Sequence, residues 1–371
     1  MIGVQTFSRT ESNLYRIVVS AIRYGNTVRK IIMEYKLNYK EEPVKDDPLR
    51  KDYLNGINCF IEKTLACAMR KRAEYITPEK LAKARERYRK EYLDMLGYPL
   101  NTEDIRLERG EKTFVSERNG VKIYRTVITA AGIPIYGMYF EVAKNAPFIV
   151  CIHGGEGSPE LISGVHLDSS NYGHLAQRLV ERGCNVYCPQ LLLWNLERYG
   201  VPFNRREIDG KLRQLGGGIT ALEVMLLMRS IDYFIQYEGI DRERIGTTGL
   251  SYGGMYALVL AAADKRIKSC YAVCQFNDRF KYSWADWSYL GSQFRFTDVE
   301  TAALVAPRAL CIAVGDKDEI FDYDSAVSEA EKVPAYYRAA NASDRFDFYV
   351  FDGLHEVDRA DRGIDFLLKY L

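Results

Sequence analysis

From Val121 onward the chain alternates short runs that are apolar from end to end with longer runs that carry apolar residues at three-and-four spacing. The short runs are PFIVCIH (Pro147 to His153), NVYCP (Asn185 to Pro189), RIGTTGL (Arg244 to Leu250), IKSCYAVCQF (Ile267 to Phe276), RALCIAVG (Arg308 to Gly315) and RFDFYVF (Arg345 to Phe351). Helical runs separate them: Tyr172 to Gly183, Ile219 to Tyr237, Ser251 to Asp264, Asp324 to Ala340, and a C-terminal stretch. A strand with no polar alternation is buried on both faces, so this order specifies a mostly parallel sheet covered by helices on each side. Ahead of it, KIYRTVITA and IPIYGMYFEV meet at Ala131 and Gly132, a short turn that predicts an antiparallel hairpin.

The stretch from Thr10 to Gly97 reads differently. It lacks Gly and Pro clusters, places Ile57, Phe60, Ile61 and Leu65 at helical spacing, and offers a helix start at Thr77 followed by Pro78. The expected organisation is a helical N-terminal extension over residues 1–110 and an α/β catalytic domain over 111–371, interrupted by an aromatic-rich insertion at about 276–306. The basic residues Arg70 to Arg72 are followed by acidic ones from Glu79 on, which reads as a solvated helix face without chemistry.

Charge and composition narrow the classes. Fifty-one Lys and Arg against 50 Asp and Glu leave a net charge of +1, without the basic footprint of a nucleic-acid binder. The opening MIGVQTFSRTESN has no basic start or apolar core of a secretory signal, and no run reaches a membrane-spanning length, so a cytoplasmic protein with no membrane partner is expected. Six of the eight cysteines (Cys151, Cys184, Cys188, Cys270, Cys274, Cys311) fall in apolar strands, where a thiol acts as a small hydrophobe, so reduced core cysteines are expected. No CxxC pair occurs and the four histidines are scattered, so no metal and no cofactor are expected.

One motif carries chemistry by its context. Gly249, Leu250, Ser251, Tyr252 and Gly253 spell G-x-S-x-G at a junction from strand to helix, where a turn too sharp for larger neighbours lifts a serine hydroxyl clear of the sheet. Serine needs a base, and His355 is the one histidine C-terminal to Ser251; it follows a strand and the turn residues Asp352 and Gly353. The base needs an acid, and the segment after RALCIAVG offers Asp316, Asp318, Glu319, Asp322 and Asp324. The spacing gives the loop rather than the residue. Asp318 is preferred because it lies a short turn past the strand, whereas Asp316 is placed to close that turn and Asp322 and Asp324 to start the next helix. Backbone donors for an oxyanion are expected from the loop His153, Gly154, Gly155 and from the amide of Tyr252.

Two segments are candidates to cover the site. The insertion carries Phe276, Phe280, Tyr282, Trp284, Trp287, Tyr289, Phe294 and Phe296, of which half or more are expected in the core and Trp284 and Trp287 are candidates for substrate contact. The polar stretch Arg198 to Gly218 reads equally as a lid or an ordinary surface loop.

On the motifs HGG (His153 to Gly155), GLSYGG (Gly249 to Gly254), APRALCIAVGDKD (Ala306 to Asp318) and FDGLHE (Phe351 to Glu356), the chain resembles the α/β-hydrolase superfamily, and within it the acetyl xylan esterase-like and dienelactone hydrolase-like branch that borders the prolyl oligopeptidases. The resemblance spans roughly Lys122 to Leu371 and implies the α/β-hydrolase fold, a triad of Ser251, Asp318 and His355, and an oxyanion hole from the amides of Gly155 and Tyr252. It implies a cofactor-independent serine hydrolase of carboxylic esters, acylated carbohydrates or small esters. A serine aminopeptidase or oligopeptidase would need an acidic residue for a substrate amine, for which Glu156, Glu160 and Asp286 are the candidates, and a non-catalytic binding protein on the same scaffold is the third reading. The N-terminal extension leaves homo-oligomerisation open.

Overall fold

The structure, a computed structural model, describes residues 45–165, 170–282 and 284–371. The part of the expected helical extension before residue 45 lies outside the described residues. The chain divides into two units between Thr64 and Leu65. In the first, helix α1 (Pro48–Tyr75) begins; it continues into the second.

Within Leu65–Leu371, helix α2 (Pro78–Leu96) starts as its sequence dictates: Thr77 caps it by accepting the Lys80 amide at 3.2 Å, with Pro78 in the first turn. Nine strands form one sheet: β1 (Leu107–Arg118), β2 (Val121–Ala130), β3 (Ile133–Glu141), β4 (Phe148–Ile152), β5 (Asn185–Pro189), β6 (Ile245–Leu250), β7 (Ile267–Val273), β8 (Ala309–Gly315) and β9 (Phe346–Phe351). Their order is β1-β2-β3-β5-β4-β6-β7-β8-β9. The hairpin β2/β3 is antiparallel through the turn Ala131 and Gly132, both at positive φ, and β3 joins β5 antiparallel; from β5 to β9 every pairing is parallel. Strand β1, which runs through position 110, pairs with β2.

Helices cover both faces of the parallel part. On one side, α3 (Leu175–Glu181) and the C-terminal α10 (Arg362–Lys369) pack in a core with Ile149, Cys151, Val186, Tyr271 and Cys311. On the other, α5 (Ile219–Tyr233), α6 (Tyr252–Ala263) and α7 (Asp298–Val305) share a core with Phe148, Val150, Ile152, Ala272 and Ile312. Tyr88, Tyr92, Met95 and Leu96 of α2 belong to this second core, so α2 is built into the sheet's cover. In the basic run Arg70 and Lys71 are exposed, as a solvated face requires, but Arg72 is not: it donates to the Gln293 carbonyl at 2.7 Å and pairs with Glu300 at 3.4 Å. The run Asp324 to Ala340 is two helices, α8 (Tyr323–Ala330) and α9 (Val333–Ala339), because Pro334 can open a helix but not sit inside one. All eight cysteines are free thiols and the six strand cysteines are buried.

Candidate active site

The site is assembled at the C-terminal ends of β4, β6, β7, β8 and β9. Between β6 and α6, Ser251 holds φ 59° and ψ −120°, a strained backbone that a non-glycine residue keeps only where its surroundings enforce it. Those surroundings are small by necessity. A Cβ on Gly253 would stand 1.9 Å from the Ile152 carbonyl oxygen, and one on Gly249 2.5 Å from the same atom. The Ser251 amide donates to the Val273 carbonyl at 2.9 Å, fixing the elbow to β7. Helix α6, open at its N-terminus, starts at Tyr252 directly behind the serine.

The loop His153 to Gly155 lies against this elbow: a Cβ on Gly154 would be 3.4 Å from Ser251 Cβ, and one on Gly155 3.4 Å from the Tyr252 ring. His153 is what shapes the loop. Its ring is fully buried, its Nδ1–H donates to the Gly154 carbonyl at 2.8 Å, and its Nε2 accepts the Leu191 amide and the Gln190 side-chain amide, each at 3.0 Å. That network assigns one neutral tautomer. Burial pushes its pKa down to about 4, beyond what the Gly154 hydrogen bond restores. The Gly154 amide donates to the Tyr172 hydroxyl at 3.0 Å, which anchors the loop from the other side.

Asp318 and His355 stand together at the ends of β8 and β9. His355 Nδ1 and Asp318 Oδ2 are 2.9 Å apart, and Asp318 Oδ1 accepts the amides of Ile320 and Phe321, each at 2.9 Å. Burial acts to raise the Asp318 pKa, but the His355 hydrogen bond and charge and the two amides outweigh it and hold the carboxyl below its usual range. Asp316 faces elsewhere: its carboxylate accepts the Gly353 amide at 3.1 Å and so closes the turn between β8 and β9. Asp322 caps α8 through the Ser325 amide at 3.1 Å. The roles open to these acids therefore separate by hydrogen bonding.

Sequence reasoning passes over three residues that build the site. Cys274, just past β7 at φ 47°, donates its thiol to the Glu356 carbonyl at 3.3 Å and ties β7 to the His355 loop. Among the described residues, its sulfur, Asp318 and His355 form a group of potential metal ligands within 4.8 Å of one another. Burial and the Asp318 charge push the thiol pKa up, which keeps it a donor rather than a thiolate ligand. Phe321 stacks on Trp287 at 5.5 Å and lies 5.6 Å from the His355 ring, while Trp287 meets the Tyr252 ring edge-on at 4.5 Å. An unbroken aromatic wall thus runs from the residue after Ser251 to His355. Of the insertion's aromatics, Phe276, Trp287 and Phe296 are buried and Phe280 is exposed; Trp284 is half-buried against Trp287 and Phe321.

The third is Arg205, which opens helix α4 (Arg205–Gln214) within the Arg198 to Gly218 stretch. It pairs with Asp286 of the insertion at 2.8 Å and with Glu223 of α5 at 3.0 Å, and donates to the Leu192 carbonyl at 3.0 Å and the Tyr256 hydroxyl at 2.7 Å. Burial alone would lower its pKa; Glu223, Tyr256 and Asp286 overcome that and raise it. Its guanidinium also lies 5.5 Å from the Tyr252 ring. No pattern in the sequence marks Arg205, because its partners are far from it along the chain.

No family model matches the chain. The protein named "Putative hydrolase YtaP" of Bacillus subtilis (strain 168) is 24% identical over 267 residues, covering 66% of this chain and 84% of its own. A solved structure described as a putative acetyl xylan esterase from Bacteroides fragilis NCTC 9343 superposes with a TM-score of 0.57 at 16% identity, covering 79% of this chain and 83% of its own. A glucuronoyl esterase from Solibacter usitatus gives 0.55 at 14% identity, with coverage of 77% and 91%. At these identities the likeness is one of architecture, and with the strand order and the turn at Ser251 it shows that the chain has the α/β-hydrolase fold.

Proposed function

We propose that the chain is a serine hydrolase of carboxylic esters, with Ser251 as nucleophile, His355 as general base and Asp318 as the acid that orients it. The observation that carries this reading is the strained Ser251 turn set on a strand two places from β8 and three from β9, whose ends hold the Asp318–His355 pair. Ser251 Oγ attacks the ester carbonyl carbon while His355 Nε2 takes the hydroxyl proton. Asp318 fixes the Nδ1–H tautomer and stabilises the imidazolium. The Gly155 and Tyr252 amides donate to the oxyanion, a donor of this kind being worth about a hundred- to a thousandfold in turnover. Collapse expels the alcohol, which receives the proton from His355; water, deprotonated by His355, then releases the carboxylic acid and regenerates Ser251.

Acylated carbohydrates or small esters are the proposed substrates, in keeping with the esterases whose architecture the chain shares. Two of the acids that a peptidase could use for a substrate amine are already engaged: Asp286 is paired with Arg205, and Glu160 accepts the Tyr136 hydroxyl. Both observations favour the ester reading. The test is a panel of short-chain aryl esters, acetylated sugars and dipeptidyl amides with wild type and Ser251→Ala. Turnover of esters that is lost in the variant is expected; undiminished ester hydrolysis by pure Ser251→Ala, or a preference for amides, contradicts the proposal.

A further inference from the structure

Phe321 stands between the base and the insertion. It follows Asp318 by three residues, and its amide donates to Asp318 Oδ1 at 2.9 Å, so the turn that fixes the carboxylate also fixes where the Phe321 side chain begins. The ring is buried, and its centroid lies 5.6 Å from that of the His355 ring with the planes 34° apart. Three aromatic residues of the insertion pack on it: Trp287 stacks at 5.5 Å and 20°, while Tyr282 and Trp284 meet it edge-on at 5.3 Å and 5.5 Å. A buried ring with this many neighbours is held in one orientation, so the insertion decides what Phe321 presents to His355.

The other neighbours of His355 act on different atoms. Asp318 takes the Nδ1 proton, Glu319 accepts the His355 backbone amide at 3.2 Å, and the Cys274 thiol holds the loop through the Glu356 carbonyl at 3.3 Å. Among the described residues, Phe321 is the aromatic ring that meets the imidazole itself. The face of such a ring is electron-rich and attracts a cation within about 6 Å of its centroid, the more strongly where water is excluded. The His355 side chain is 9% exposed, so little solvent screens the contact. A second cation, Arg279, lies 5.8 Å from the same ring, but it stands nearer Trp287, at 4.1 Å, and is paired with Asp298 at 2.7 Å.

We propose that Phe321 is a positioning residue whose ring stabilises the imidazolium of His355, and that the insertion serves the reaction by holding Phe321 in place. The inference rests on His355 as the general base of the proposed triad. A general base is neutral before it takes the Ser251 proton and positive after, so an interaction with the cation is stronger in the transition state than in the ground state. Its effect belongs in kcat and not in KM. Trp287, buried against Phe321 and Tyr252, then acts from behind the base instead of on the substrate.

The test changes the electrons of the ring and keeps its shape. In the full chain Phe321 is replaced by mono-, di- and trifluorinated phenylalanines, which withdraw charge from the ring face stepwise, and kinetics on an aryl ester are followed beside wild type, Phe321→Leu and His355→Ala. The kcat should fall with each added fluorine and reach about tenfold below wild type in Phe321→Leu, with KM changed by less than about twofold and Tm within a few degrees. A kcat that ignores fluorination, or a loss in Phe321→Leu that lies in KM, marks a packing role and overturns the proposal. His355→Ala keeps the two readings apart. A flat fluorine series beside a His355→Ala protein that has lost turnover overturns the Phe321 inference alone, whereas undiminished turnover in His355→Ala overturns the triad and the inference with it.

Discussion

The floor of the site and its cover are held in place by different physics. On the floor, the Ser251 elbow, the His153 loop and the Asp318 turn hang from parallel strands, and their positions follow from backbone hydrogen bonds and from glycines that leave no room for a Cβ. In the cover, side chains make the contacts: Arg205 and Arg213 of α4 reach Asp286 and the Ser288 carbonyl of the insertion, and Trp287 of the insertion stacks on Phe321 past β8. The floor is fixed by backbone at the ends of neighbouring strands, as where Ser251 meets Val273 and Gly253 meets Ile152, the cover by side chains dozens of residues apart. A floor of this kind is rigid by construction, whereas a cover of this kind is only as firm as its buried ion pairs.

The largest expected effect falls on the floor's chemistry. Asp318→Asn keeps the shape of the turn but holds His355 in the wrong tautomer, and should lower kcat by about 10⁴ while leaving Tm within a few degrees. A steady-state comparison on an aryl ester measures this, and an unchanged kcat would move the acid's role to another residue.

The cover is next. Arg205→Met leaves Glu223 and Asp286 buried without a counter-charge and should cost about 3–5 kcal/mol in urea unfolding. Adding Glu223→Gln and Asp286→Asn should return most of that stability, since the loss comes from the stranded charges. If the triple variant is no more stable than Arg205→Met, the cover is held by something other than this ion network.

Acid then probes the His153 loop. His153 is neutral and buried, with its folded-state pKa depressed to about 4. Its contribution to stability is present above the unfolded value, near 6.5, and is lost as pH falls through the window down to about 4, because only the unfolded chain takes up the proton there. The difference of 2.5 units corresponds to about 3 kcal/mol at the bottom of the window. His153→Asn should be less stable at neutral pH and show a correspondingly flatter loss of stability between pH 6.5 and 4; an equal slope in both proteins would contradict the buried neutral ring.

The smallest effect is a gain. Gly210, inside helix α4, has open space where a Cβ would go, unlike Gly253 at the elbow. Gly210→Ala should raise stability by up to about 1 kcal/mol without changing kcat, a shift that calorimetry resolves.

The same division explains which features are legible in the amino-acid sequence. The parallel sheet follows from continuous apolar runs, and the elbow from Gly249 and Gly253 at a strand end, because both are encoded locally. Asp322 at a helix start is legible because the amide it accepts lies three residues on, whereas the separation of Asp316 from Asp318 depends on the β8/β9 pairing, which brings Gly353 to one and His355 to the other. Cys274 reads as one more core thiol, and it is buried, yet its donation to Glu356 arises only because β7 lies beside the His355 loop. Arg205 and Arg72 are illegible for the same reason: a charged residue in a polar run carries no sign of the carboxylate or carbonyl that the tertiary fold brings to it.

Active-site labelling puts the central claim at risk most directly. The intact protein is treated with a fluorophosphonate and its mass and the modified peptide are determined, beside Ser251→Ala and His355→Ala. One adduct per chain is expected, on Ser251, absent in Ser251→Ala and strongly slowed in His355→Ala. An adduct on another residue, or a wild-type protein that stays unlabelled while it hydrolyses esters, would contradict the proposed triad.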